Sequence, residues 1–255
     1  EADLTPIEAR DLPRELHPLV DATNQVMARL QGLLEHQKRF VRDASHQLRT
    51  PLAVLKVQVQ SALRGDVDQT VALQEINRTV ERATLLANQM LALAKVEQLR
   101  QQSDRVVLDL AAIVRAVALD LAPLMADKEL DFAIQTMAAP VCAHEWMLRE
   151  LVRNLLHNAV KHAPAHSALA VRLTSDGQFA MLTVSDHGAG INAELRARLF
   201  QPFAAGHNRS GSGLGLTICR EIVIALGGQV TLDNRQVRGN TVGLDATARL
   251  PLANI

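Results

Sequence analysis

His46 lies in the stretch Phe40-Val41-Arg42-Asp43-Ala44-Ser45-His46-Gln47-Leu48-Arg49-Thr50-Pro51-Leu52, with polar neighbours on its own helical face and a proline five residues on. An unperturbed imidazole is mostly neutral at pH 7, and a neutral imidazole is a nucleophile. His46 lies two positions from both Ala44 and Leu48, about 200° round a helix of 3.6 residues per turn, so the ring is expected to point off the apolar seam into water. A solvated surface histidine carries the same signature, and what else the chain can bind decides between them. Glu150, Asn154, Asn158 and Lys161 recur at i, i+4, i+8 and i+11, on one helix face opposite Leu151, Leu155 and Leu156. Amides and a cation in such a line suit an oxygen-liganded Mg²⁺ and phosphate oxygens, although a solvated amphipathic face has the same pattern. Asp186-His187-Gly188-Ala189-Gly190 ends an apolar run. Its carboxylate can accept a hydrogen bond from an exocyclic amine such as that of adenine, while the glycines let the backbone approach a flat ligand. Gly211-Ser212-Gly213-Leu214-Gly215-Leu216 opens a helix and frees backbone N–H groups for phosphate. It is neither a Walker loop nor a good dinucleotide fingerprint. His162 and His166, four apart, read as a surface pair, since no third metal ligand is evident.

These residues need elements to carry them. Leu16, Leu19, Thr23, Val26, Leu30, Leu33, Gln37 and Phe40 recur at alternating steps of three and four, the seam of a coiled coil. From Phe40 the step becomes four, through Ala44, Leu48 and Leu52, and then come Leu55 and Val59. Such an insertion locally unwinds a supercoil. One long helix is predicted from about Arg14 to Leu63, kinked near Pro51. Arg64-Gly65-Asp66 ends it, Asp66 or Asp68 caps the next helix, and that helix runs to about Gln98. Leu73, Ile76, Val80, Ala83, Ala87, Met90 and Ala94 form its stripe. Two helices with one stripe each cannot cover themselves, so two hairpins are expected to pair as the four-helix bundle of a homodimer. A coiled-coil spacer is the plainer reading.

Beyond Ser103 the pattern shortens. Strands are predicted at 106–108 and 130–135, helices over 109–127 and 144–163, and a strand hairpin at 171–174 and 179–186 around Asp176-Gly177. A helix at about 214–226 and strands near 229–233 and 243–250 complete an α/β sandwich. Leu199-Phe200-Gln201-Pro202-Phe203 and the polar residues to Ser210 suggest a flap over the nucleotide. Net charge is zero and aromatic residues make up 2%, with no tyrosine, which disfavours nucleic acid as a partner. Cys142 and Cys219 give no disulfide framework and fit a reducing compartment. No apolar run approaches the roughly 20 residues that span a bilayer. Starting at Glu1 rather than methionine, the sequence is expected to be a fragment, with any membrane segment upstream.

Ser45-His46-Gln47-Leu48-Arg49-Thr50-Pro51-Leu52 resembles the phospho-acceptor box of bacterial two-component sensor histidine kinases. The segments around Asn154 and Asn158, Asp186, Phe200 and Gly211–Gly215 are similar in order and spacing to that family's N, G1, F and G2 boxes. The resemblance implies a dimeric helical hairpin followed by an ATP-binding α/β sandwich of the gyrase/Hsp90/histidine-kinase type. It implies a linker, the end of a HAMP-like connector, with the start of the long helix over 1–36, a dimerisation and phosphotransfer domain over 37–102, and a catalytic ATP-binding domain over 103–255. It further implies autophosphorylation of His46 from ATP, transfer to an aspartate of a response-regulator receiver domain, and Thr50 positioning water for a reverse phosphatase reaction. Asn158 would ligate Mg²⁺ with Asn154 assisting, Asp186 would read the adenine amine, and Gly188 and Gly190 would shape that pocket. Gly211, Gly213, Leu214 and Gly215 would accommodate the phosphates. Lys161 and His162 match positions near the phosphates, and Arg209 or His207 would reach the γ-phosphate from the flap. The whole protein would then sit in the bacterial inner membrane with this part in the cytoplasm. Two places depart from the family. Gln47 stands where the family has an acidic residue, and an amide cannot serve as a base. The closing glycine-threonine turn is blurred as Gly239-Asn240-Thr241. The competing readings are a dimeric ATPase of the same wider fold and a nucleotide-binding scaffold without phosphotransfer.

Overall fold

The computed structural model describes residues 7, 13, 16–102, 104–192, 196, 199–200 and 214–253. The expected connector over the first residues therefore lies almost wholly outside the described residues, as do the side chains of the seam positions Leu33, Gln37, Phe40 and Ala44. The chain divides into two compact units, residues 1–83 and 84–255.

Helix α1 covers His17–Arg64 and begins with a proline in its first turn, where a missing N–H costs nothing. It runs on as α-helix through Pro51. Gly65, at φ 75°, stops it: Gly65 N donates to Ala62 O and Asp66 N to Ser61 O, both at 3.2 Å. That pair of bonds is a Schellman stop. Asp68, not Asp66, caps α2 (Gln69–Arg100), its Oδ1 accepting from Thr70 N at 2.9 Å and Val71 N at 3.1 Å. Across the hairpin Thr79, buried, donates to Gln58 Oε1 at 3.0 Å. Much of the predicted stripe stays bare in one chain. Leu52, Val59, Leu73 and Val80 are exposed, and Leu63 is 83% exposed.

The second unit holds the last turns of α2 and the sandwich. Ala92 and Val96 of α2 are buried in the same core as Leu110 and Leu151, and Lys95 lies 4.5 Å from the centre of the Trp146 ring. Strands β1 (Val106–Asp109) and β3 (Pro140–Ala143) pair antiparallel. The main sheet takes the order β2-β4-β5-β7-β6, from β2 (Asp131–Thr136), β4 (Ala168–Ser175), β5 (Phe179–Asp186), β6 (Gln229–Val237) and β7 (Asn240–Pro251). Only β2 and β4 run parallel. Helix α3 (Leu110–Asp120) and α5 (Glu145–His162) pack together, and α5 also packs on β5 and on α6 (Gly215–Ala225). The expected helix over 109–127 is two: α3 ends at Asp120 and α4 runs Ala122–Asp127. Pro123 supplies no N–H to carry the ladder across. Strand β3 was not legible in the sequence, because it is four residues long and its partner is 34 positions upstream.

Parity does the positioning. β5 alternates intermediate and buried along its length, with Ala180, Leu182, Val184 and Asp186 turned inward. A strand's side chains alternate faces, so Asp186 sits on the helix-facing side as the last member of an apolar row. The Asp176-Gly177 turn is as expected: Gly177 takes φ 89°, and Asp176 Oδ1 accepts from Gln178 N at 3.0 Å and Phe179 N at 2.7 Å. Those bonds hold the exposed Asp176 carboxyl below its usual range.

Candidate functional site

In the helical unit His46 is exposed, as the seam geometry requires. Thr50 Oγ1 donates to the His46 carbonyl at 3.4 Å. Gln47 is half-buried beside it. Pro51 lacks the N–H that would meet the Gln47 carbonyl, so the backbone just past His46 loses one rung of its ladder.

In the sandwich, α5 brings its polar face to the end of β5. Its apolar face, from Met147 through Val160, is buried. Asn154 and Asn158 lie one turn apart on the half-exposed side, and Lys161 follows in the last turn. Burial pushes the Lys161 ammonium down from its usual value, and it pushes His157 down too, aided by the nearby Lys161 charge. Lys128 closes the end of α5, its Nζ donating to the carbonyls of Val160 at 2.8 Å and of Lys161 and Ala163 at 2.9 Å. All three ammonium hydrogens are then used on carbonyls that the helix end leaves open.

Asp186 is only 3% exposed. Burial raises its carboxyl pKa, against the Gly188 and Leu244 N–H groups and the His162 and Arg235 charges, which favour the anion. Gly188 N donates to Asp186 Oδ1 at 2.7 Å. A Cβ on Gly188 would stand 2.8 Å from the His162 carbonyl, so this turn lies directly on the end of α5. Gly190 takes φ 70°, and a Cβ there would meet Thr241 and Asn234 within 2.7 Å. At the start of α6, Leu214 is fully buried, and Gly215 packs against Asn154, whose Oδ1 would lie 3.1 Å from an added Cβ. The structure thus gathers Asn154, Lys161, His162, Asp186, Gly188, Leu214 and Gly215 around the junction of α5, β5 and α6. Arg209, Gly211 and Gly213, with His207 and the rest of the flap beyond Phe200, lie outside the described residues.

Three residues of this junction escaped the sequence reading. Asn234 of β6 pins the turn after Gly190, accepting from Ile191 N and donating to Ile191 O, both at 2.8 Å. Arg235 donates to the Asp186 carbonyl at 2.6 Å and to Asp245 at 2.8 Å. Gly243 pairs with Arg235 beside a register shift, and a Cβ there would stand 2.0 Å from the Asp186 carbonyl oxygen. The nearest signal was the blurred glycine-threonine turn Gly239-Asn240-Thr241, which ends two residues before Gly243. Gly243→Ala is expected to destabilise this unit by about 2–3 kcal/mol, the scale of overpacking a tight contact. Its thermal midpoint should then fall by roughly 5–10 °C; an unchanged melting curve would show that β7 yields freely.

Among the described residues no cluster of three or more His, Cys, Asp or Glu side chains could hold a metal. The oxygen chemistry fits Mg²⁺ nonetheless. Asn154 Nδ2 is occupied by Glu150, at 2.8 Å to Oε1 and 2.9 Å to the main-chain oxygen. The amide oxygen is therefore the atom turned to Gly215, and amide carbonyls are hard ligands of the kind Mg²⁺ takes. No helix among the described residues is long and apolar enough to cross a membrane.

Residues 143–254 match the family described as histidine kinase-, DNA gyrase B- and HSP90-like ATPase, and residues 36–99 match the His Kinase A phospho-acceptor domain. Sensor protein QseC of Salmonella typhi is 34% identical over 237 residues, covering 90% of this chain and 52% of its own length. Sensor protein kinase PmrB of Pseudomonas aeruginosa is 34% identical over 227 residues, covering 86% of this chain and 47% of its own. The chain thus spans about half the length of the curated relatives it matches. Among solved structures, histidine kinase ThkA in complex with response regulator protein TrrA superposes with a TM-score of 0.68 at 19% identity, over 95% of this chain and 68% of that one.

Proposed function

This chain belongs to the histidine kinases of bacterial two-component sensors, and on that premise we propose that it phosphorylates its own His46 from ATP and passes the group to a receiver-domain aspartate. The observation that carries the reading is an exposed imidazole at His46 on the same chain as the buried Asp186 carboxyl and its glycine turn at the end of α5. In this proposal a ring nitrogen of His46 attacks the γ-phosphorus in line. The bond to the β–γ bridging oxygen breaks, ADP leaves, and the ring sheds its proton. Catalysis rests on positioning and charge neutralisation. Mg²⁺, when bound, would supply neutralisation of the β- and γ-phosphate oxygens. Asn154 and Asn158 would hold it, and Lys161 adds positive charge on the same face. Asp186 accepts from the adenine amine, while Gly188 and Gly190 bring the backbone up to the ring.

The bare stripe of the hairpin supports a homodimer closed as a four-helix bundle. The ThkA–TrrA complex supports a receiver domain as the partner. The proposal also includes domain boundaries near residues 37 and 103, a HAMP-like connector and membrane segment upstream, and a cytoplasmic place for this portion. Its test is label from γ-labelled ATP retained in alkali, lost in acid, and chased from the chain by an added receiver domain. Label that stays on the chain with every receiver domain tried would refute the transfer step.

Gln47 shapes the rate. With an amide rather than a carboxylate immediately after His46, the proton leaves to water or to phosphate. Gln47→Glu is expected to raise the autophosphorylation rate on the order of tenfold, the low side of what a placed general base contributes. A rate unchanged or lowered would mean that proton removal does not limit this enzyme. The proposal also gives Thr50, whose hydroxyl donates to the His46 carbonyl, the task of orienting water in a reverse phosphatase reaction.

A further inference from the structure

Glu150 lies two helical turns before Asn158, and neither the nucleotide nor the metal reading gives it a task. Its carboxylate nevertheless contacts one of the two amides that the metal reading uses. Asn154 Nδ2 donates to Glu150 Oε1 at 2.8 Å and to the Glu150 carbonyl at 2.9 Å. Both partners are acceptors only, since an ionised carboxylate and a main-chain carbonyl offer no hydrogen. An amide has two faces of nearly equal shape, and its network decides which atom points where. Here the network leaves one answer: the NH₂ turns back along α5, and Oδ1 turns toward Gly215. The first residue of α6 is itself a glycine, which lets this oxygen stand close to the helix N-terminus. Flipped, Asn154 would present hydrogens to that place and repel a cation.

We infer that Glu150 is a positioning residue which locks the Asn154 amide oxygen toward the start of α6, so that it acts as a ligand for the divalent cation accompanying a nucleoside triphosphate. The inference rests on the nucleotide reading above. A second feature fits the arrangement: Glu150 is half-buried, and its charge adds to the burial that pushes up the Cys219 thiol.

The experiment is calorimetric titration of the full chain with a non-hydrolysable ATP analogue, with and without Mg²⁺. It needs no turnover. The quantity read is the factor by which Mg²⁺ tightens binding. Glu150→Met keeps length and helix preference but removes the acceptor. It is expected to cut that factor about tenfold or more, as loss of an outer partner of a metal ligand does. Glu150→Gln keeps an acceptor without the charge and should retain most of the factor. In an Asn154→Ala background, Glu150→Met should have no further effect, because nothing remains to be positioned. Any of three results would overturn the inference: Glu150→Met behaving as wild type, Glu150→Gln losing as much as Glu150→Met, or the loss persisting without Asn154. The latter two would assign Glu150 a through-space charge effect. If wild type itself binds the analogue with no response to Mg²⁺, the metal reading of the site falls, and the role of Glu150 falls with it.

Discussion

Alanine in place of His46 is expected to reduce acid-labile labelling from γ-labelled ATP to background while leaving nucleotide affinity unchanged. His46 is exposed on a helix whose neighbouring seam residues, Leu48 among them, turn the other way. Removing a solvated ring leaves no cavity, so the helix should keep its stability to within about 0.5 kcal/mol. The pocket residues, by contrast, belong to the other compact unit. Label retained by the alanine variant would move the acceptor elsewhere and remove the basis for phosphotransfer. Loss of ATP binding along with label would instead show that the substitution damages more than the nucleophile.

The second large effect concerns Asp186. Replacing it with asparagine keeps the volume but substitutes an amide for a buried charged acceptor. A hydrogen bond to a charged group contributes about 1.5–3 kcal/mol, so nucleotide affinity should fall roughly 10- to 150-fold. A pH signature should accompany it. Because burial raises the Asp186 pKa, the carboxylate takes up its proton at a higher pH than an ordinary aspartate. Nucleotide affinity should therefore decline on acidification from above the usual carboxylate range, and the asparagine variant should show no such decline. Stability should respond in the opposite sense. With the folded pKa above the unfolded one, the native state binds the proton more tightly, so this group costs stability above its raised pKa and the cost is relieved as pH falls. Calorimetric titrations and melting curves across pH check both signs. Affinity flat across that range would mean that Asp186 does not accept from the base.

What could be read before any coordinates were available was mostly periodic. The exposure of His46 followed from angular spacing alone, and the end of α1 followed from Gly65, while its start was expected near Arg14 and falls at His17. The place of Asp186 at the end of an apolar strand was legible too; its inward turn is what β5 adds. What escaped depends on neighbours far off in the chain. Asn234 and Gly243 matter because β6 and β7 bring them against Ile191 and Asp186, and no local pattern marks a residue for a contact made about fifty positions away. The break at Leu121 is of another sort. Pro123 was in plain view, but the apolar content of the segment favoured one helix and hid the missing donor. The orientation of Asn154 is a third kind, because it needs the atoms of Glu150 and Gly215 together.

The parity of β5 has an evolutionary edge. Deleting one residue between Phe179 and Val184 would rotate everything downstream onto the wrong side. Val184 would leave the hydrophobic layer, and the acidic end of the strand would swing outward in the same event. Folding and base selectivity are therefore written on a single ruler in this strand. Lineages can vary the letters on its outer side, but they have almost no freedom to change its length.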